Sequence, residues 1–251
     1  MPKTCDLVEF CDQRTKRLDI PDFTGAYNGL QIENSGEVTK IGAAVDAGLF
    51  PFRKAIQSNI DFLIVHHGLF WTPPIPMVGN AFEKTKICFE NNLAVYGSHL
   101  PLDCHPEIGN NALLAKKLNL IPKGGFLPYE GTDVGLLTQC SYDINELKER
   151  LIELFPEGLR SLCFGSKKPQ TIAILTGSGQ SAVNEIRDAG ADTLITGELK
   201  QHHFNIAQEM NLNLFLCGHY ATETFGVKAL AREAAEAFDL PYEFVEMNCP
   251  L

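Results

Sequence analysis

Short apolar runs rich in β-branched residues recur along this chain, each bounded by turn residues and followed by a stretch that can form a helix. They are Ile41-Gly42-Ala43-Ala44-Val45, Phe62-Leu63-Ile64-Val65 and Leu93-Ala94-Val95-Tyr96, then Val134 to Thr138, Ile172-Ala173-Ile174-Leu175, Thr193-Leu194-Ile195 and Leu212 to Leu216. A strand without polar alternation is buried on both faces, and parallel strands joined by helical crossovers bury it that way. The expected fold class is α/β, layered as α/β/α. A Gly/Pro-rich patch from Pro122 to Gly131 interrupts the series. It predicts two α/β halves, 1–125 and 126–251, whose shared habit of ending strands in short polar turns is a weak sign of duplication.

The runs are strand-sized, far short of the ~20 apolar residues that a membrane helix needs. The segment Met1-Pro2-Lys3-Thr4-Cys5-Asp6 has an early acid and no signal-like apolar stretch behind it, so export is not expected. Eight cysteines are scattered without a C-x-x-C pair in a chain of 251 residues, long enough to build a core without staples. They are expected to be reduced thiols in the cytoplasm, with Cys217 a buried small hydrophobe. Asp and Glu outnumber Lys and Arg by 31 to 21, a net charge of −10, and no basic cluster offsets it. A surface that tracks nucleic-acid phosphates is therefore not expected.

Polar groups gather where the apolar runs end, which is where α/β folds place ligand sites. The first cluster is His66-His67-Gly68-Leu69-Phe70-Trp71. Adjacent residues of an extended chain point to opposite sides, so His66 and His67 suit two neighbouring ions better than one. Alone, the pair also reads as two hydrogen-bonded imidazoles in a turn. The second cluster runs from Tyr96 to Glu107 and contains His99, Asp103, Cys104 and His105. Pro101 argues for an irregular loop that aims His99 and Asp103 inward. Glu107 is expected in the first turn of the following helix, where it favours the macrodipole. The third cluster, Cys217-Gly218-His219-Tyr220-Ala221-Thr222-Glu223, places His219 and Glu223 four residues apart, on one face of a helix.

His66, His67, Asp103, His219 and Glu223 together offer imidazole nitrogen and carboxylate oxygen, a donor set that suits Zn, Fe, Mn, Co or Ni. Five ligands are too many for one simple catalytic ion. Two divalent ions bridged by Glu223 would use them all and keep positions open for a water, whose proton an ion loosens at neutral pH.

At these residues the chain resembles the NIF-three-like proteins, a dinuclear-metal family whose members carry the name GTP cyclohydrolase I type-two homologue. The run His66 to Trp71, the run Gly97 to Asn111 and the run Gly218 to Glu223 carry the resemblance, with Tyr27-Asn28-Gly29-Leu30-Gln31 and Thr196-Gly197-Glu198 fitting the remaining patterns. The resemblance implies that His67 and Asp103 hold one ion and His66 and His219 the other. It further implies that Glu223 bridges them, with His99 a nearby unligated base. It also implies interlinked, similar halves in a short form without an inserted middle domain, assembled as a homohexameric ring. Cys104 beside Asp103 and the extra histidines of Gln201-His202-His203 depart mildly from the pattern. A histidine close to His202 lies near the site in the resemblance, so His202 is a supporting candidate beside Glu198, whereas His203 is expected at the surface.

Asn28 and Gln31 are read as loop-holding amides before substrate contacts, and Gly177-Ser178-Gly179-Gln180-Ser181 as a strand-to-helix turn rather than a phosphate loop. The proline-rich stretch Trp71-Thr72-Pro73-Pro74-Ile75-Pro76 is read as a connector before a lid. The leading function is a metal-dependent hydrolase of a small polar or nucleotide-like substrate, with His99 relaying protons. GTP cyclohydrolase chemistry enters only through the family name. The rivals are a non-catalytic metal carrier, insertase or store, and a ring-shaped interaction platform.

Overall fold

Residues 1–71 and 76–250 are described in a computed structural model. The proline-rich stretch after Trp71 lies outside the described residues for 72–75. The apolar runs become strands because both of their faces are covered. β1 (Gly29–Ile32), β2 (Ile41–Asp46), β3 (Phe62–His67) and β4 (Ala94–Gly97) belong to one sheet, together with the last strand of the chain, β11 (Tyr242–Phe244). β5 (Ile121–Tyr129), β6 (Thr132–Gln139), β7 (Arg160–Cys163), β8 (Thr171–Ser178), β9 (Thr193–Glu198) and β10 (Asn213–Leu216) form the other. Helices alternate with them: α1 (Thr4–Thr15), α2 (Leu49–Gln57), α3 (Asn80–Glu90), α4 (Leu100–Asp103), α5 (Asn110–Lys117), α6 (Ile144–Leu154), α7 (His203–Glu209), α8 (His219–Thr222) and α9 (Thr224–Phe238). The fold is mixed α/β. No described helix is long and apolar enough to cross a membrane.

The chain divides into two units, Met1–Leu102 with Gly226–Asn248, and Asp103–Phe225 with Cys249–Leu251. This division runs elsewhere than at residue 125, for two reasons. The Gly/Pro-rich patch is no linker: it is β5 and the turn into β6, an antiparallel hairpin with Phe126 opposite Gly135. A Cβ at Gly135 would run into the Phe126 ring, so the glycine makes room for the one buried side chain of β5. In addition, α9 carries the chain back so that β11 pairs in parallel with β2, Tyr242 opposite Ile41.

In the first unit the strand order is β1-β4-β3-β2-β11, with β1 antiparallel at the edge and the rest parallel. Phe52 and Ala55 of α2 and Cys88 of α3 close one face over Ala44, Leu63, Val65 and Val95. Arg14 of α1 is tied to Glu233 of α9 at 2.6 Å. In the second unit the order is β5-β6-β8-β9-β10-β7, with β8, β9 and β10 parallel and the others antiparallel. Leu114 of α5, Leu118 just after it, and Leu147 and Leu151 of α6 pack on Ile172, Ile174, Ile195 and Phe215. Asp143 starts α6 as its N-cap, accepting from the N–H groups of Asn145 and Glu146. Phe215 is fully buried in this core. Phe215→Ala is expected to cost about 3–5 kcal/mol in a denaturant titration, and a loss under about 1 kcal/mol would show that the core collapses around the gap.

Two local expectations change. The residues after Gly179 form a run of turns up to Gly190 rather than an α-helix. Pro101 sits inside a single helical turn, α4, rather than in an irregular loop. A proline is tolerated in a first turn, where its missing N–H has no helical partner to lose.

Candidate metal centre

In each unit, parallel strands bring their carboxyl ends to one edge, where His66 and His67 end β3 in the first unit and His219 follows β10 in the second. In the first unit His67 at the end of β3 stands opposite Asp46 at the end of β2, and Val65 opposite Gly97 at the end of β4. That register places the rings of His66 and His67 4.8 Å apart, with the His99 ring 4.9 Å from His66 and 5.8 Å from His67. A ring nitrogen from each of the three lies within 4.8 Å of the others.

Each of these imidazoles is anchored through Nδ1. His66 Nδ1 lies 3.0 Å from the carbonyl oxygen of Ser98 and His67 Nδ1 2.8 Å from Asp46 Oδ1. His99 Nδ1 lies 2.9 and 3.1 Å from the two carboxylate oxygens of Asp22. An acceptor at Nδ1 selects the tautomer that carries its proton there, which makes Nε2 the nitrogen each ring offers a metal or a substrate proton. Burial pushes the Asp22 carboxyl up, but the hydrogen bonds and charge of His99, the Asn28 amide and the Phe23 N–H outweigh it and hold it below the usual range. Trp71 stands edge-on to the His99 ring at 4.7 Å and donates its indole N–H to Gly68 O.

Asn28 and Gln31 act on this loop framework. Asn28 accepts from the His99 N–H at 2.7 Å and donates to Asp22 at 2.8 Å. Gln31 accepts from Leu69 N and donates to Tyr27 O, each at 2.6 Å. A Cβ on Gly68 would run into the Gln31 amide, so a side chain there would push that amide off its hydrogen bonds to Leu69 and Tyr27.

In the second unit His219 opens α8 and Glu223 caps its end, with His219 Nε2 3.2 Å from Glu223 Oε1. The predicted spacing of four residues therefore brings them into contact. Glu198, at the end of β9, reaches His219 Nδ1 at 3.0 Å from the other side. The Glu223 hydrogen bond foremost, opposed by burial and reinforced by Glu198, raises the His219 pKa to about 9. A metal ion would compete with that proton. Asp103 and Glu223 are both buried, and carboxylate oxygens of the two lie within 4.8 Å of each other. Ionised, they repel by at least about 3.5 kcal/mol at an effective dielectric of about 20, which a cation beside them reverses. Asn110 donates to Asp103 at 2.6 Å. Gly177, at φ +67°, lies under the pair: a Cβ there would stand 3.2 Å from His219 Nε2 and collide with Glu223 Oε1.

Comparison with known proteins gives the chain's family. The family model described as Duf34/NIF3 (NGG1p interacting factor 3) matches residues 18–250. The chain belongs to the Duf34/NIF3 family. It is similar to a "GTP cyclohydrolase 1 type 2 homolog" of Deinococcus radiodurans, 35% identical over 88% of this chain and 87% of the relative. One of the same name in Archaeoglobus fulgidus is 36% identical over 96% and 97%. Among solved structures, TTHA1606 from Thermus thermophilus aligns with a TM-score of 0.87 at 37% identity, covering 99% of this chain and 100% of that one.

Other predicted residues of this Duf34/NIF3 chain fall differently. His202 is exposed at the start of α7, its ring 4.2 Å from that of His203. His203, expected at the surface, is buried at 4% exposure, because its Nδ1 turns in to the Lys200 main chain, 3.0 Å from the carbonyl oxygen. Glu107 is not in the first turn of α5, which contains no acid. It lies in a preceding turn whose Glu107 and Ile108 N–H groups donate to His105 Nδ1. Cys217 is buried, which pushes its thiol up to about 12 and makes it a poor thiolate ligand. All eight cysteines are free. Asp22 and Asp46 were missed in the sequence, although Asp46 directly follows an apolar run, the same signal that marks the histidines.

Proposed function

We propose that this Duf34/NIF3 chain is a dinuclear metal-dependent hydrolase of a small polar or nucleotide-like substrate. His67 and Asp103 would hold one divalent ion, His66 and His219 the other, and Glu223 would bridge them. The observation that carries this reading is the anchoring of His66, His67, His99 and His219 through Nδ1 by Ser98 O, Asp46, Asp22 and Glu198. Imidazoles that bind metal are oriented in this manner. The donor set fits: imidazoles, with His219 giving up its second proton to the ion, and two buried carboxylates suit a first-row divalent ion and neutralise its charge.

Bound ions would supply Lewis acidity and lower the pKa of a water. The protein's own residues do the rest. Asp22 keeps the His99 proton on Nδ1, so Nε2 is the base that can accept a proton and return it to a leaving group. Trp71 and Phe23, whose ring lies 5.8 Å from that of His99, limit its rotation. Glu198 does the same for His219, and Gln31 holds the turn that follows His67.

The test is a panel of phosphoesters and nucleotides offered to protein loaded in turn with Zn, Fe, Mn, Co and Ni. Turnover is expected with at least one metal and is abolished by a chelator. His99→Gln is expected to lose at least about a hundredfold in rate while keeping its ions. A flat response with every metal would overturn the hydrolase reading.

A further inference from the structure

A second feature of the second unit lies outside the ligand set. Where β9 and β10 end and antiparallel β7 closes the sheet edge, with Leu216 opposite Arg160, a cleft of about 430 Å³ opens. Leu162, Leu216 and Phe204 give it apolar walls, and Arg160 and Lys200 also line it. Phe204 is 41% exposed, and Phe164 holds its ring edge-on at 5.8 Å. The buried His203 pins the Lys200 main chain at the mouth. In a chain of net charge −10, two cationic side chains line one cleft, and among the described residues neither has a carboxylate at ion-pair distance. An apolar cleft with a few convergent charged groups is the usual form of a small-molecule site. The carboxyl end of a parallel sheet is its usual place.

We propose that this cleft binds a phosphate group attached to an aromatic ring, the phosphate held by Arg160 and Lys200 and the ring resting on Phe204. Arg matches a phosphate with two parallel N–H donors, Lys adds a point charge, and a flat ring covers Phe204 better than an alkyl chain does. The role assigned to that ligand rests on the metal-centre reading, because it makes the phosphate the anchor of the substrate and not its reacting group. Lys200 follows Glu198 by two residues and Leu216 precedes His219 by three. An extended chain covers at most ~3.6 Å per residue, so Leu216 and His219 are no more than roughly 11 Å apart. A molecule of nucleotide length spans that distance, whereas inorganic phosphate does not.

The experiment is a calorimetric titration of phenyl phosphate, with inorganic phosphate in parallel, into the full chain. The wild type, an Arg160→Ala/Lys200→Ala double variant and Phe204→Ala are compared. Binding to the wild type is expected to weaken at least about tenfold in the double variant. Phe204→Ala is expected to weaken phenyl phosphate more than inorganic phosphate. Failure of phenyl phosphate to bind, or equal binding by the double variant, overturns the proposal. Metal analysis of the same samples separates the two readings. Cleft binding in a wild type that takes up no metal would keep the cleft and sink the metal centre. Metal-dependent turnover whose KM is unmoved in the double variant would do the reverse.

Discussion

Glu223→Ala is expected to purify as a folded protein with no more than about one metal ion per chain, against about two in the wild type. The carboxylate is buried at 3% exposure and lies against His219 and within 4.8 Å of Asp103, so the substitution removes the donor that a bridging role would share between both ions. Glu198→Gln is the informative companion. Glu198 touches the opposite nitrogen of His219 and is exposed at the strand end, so its loss should loosen the ring without deleting a ligand. Affinity is then expected to fall by about 10–100-fold, with the stoichiometry preserved at saturating metal. Elemental analysis after reloading, beside a circular dichroism spectrum, reads both. Two ions retained by Glu223→Ala would remove the bridge. No metal in any of the proteins would remove the centre and favour an interaction platform.

The parts of this molecule that a reader of the sequence can find are those whose cause is local. The runs at Ile41, Phe62, Ile172 and Thr193 are strands because no polar alternation lets either face meet water, and that property is written in each run alone. The hairpin of β5 and β6 is not, since Pro122, Gly124, Gly125 and Pro128 all argue against a strand. Its pairing depends on partners such as Phe126, which needs the bare backbone of Gly135 across the ladder. β11 is a three-residue strand that exists because β2 presents an open edge to it. The site divides the same way. His66, His67, His219 and Glu223 are visible because polar groups directly after an apolar strand occupy a sheet's carboxyl edge. Asp22 is not, because it lies in a stretch without periodicity and finds His99 across 77 residues of sequence. Four residues of spacing were enough to pair His219 with Glu223, but nothing local announces that Gly177 must pass beneath them.

That passage supports the second large effect. Gly177→Ala is expected to lose metal affinity by more than about tenfold while the fold survives. The residue has φ +67°, a conformation that costs a non-glycine residue about 1–2 kcal/mol. Its new methyl group would also collide with Glu223 Oε1 and stand 3.1 Å from Glu223 Cδ. Neither Glu223 nor His219 can retreat cheaply. Glu223 caps the end of α8, and its backbone N–H donates to Tyr220 O at 3.2 Å, while His219 is held by Glu198. The carboxylate must therefore swing off the position from which it would reach an ion. Gly190→Ala separates this crowding from backbone strain, because Gly190 has φ +80° in the same unit and nothing within 4 Å of the added carbon. Both variants should unfold at slightly lower denaturant, by about 1 kcal/mol, but only Gly177→Ala should release metal. Equal metal affinity in the two variants would mean that the carboxylate moves without consequence, and that Glu223 is not where the ions are held.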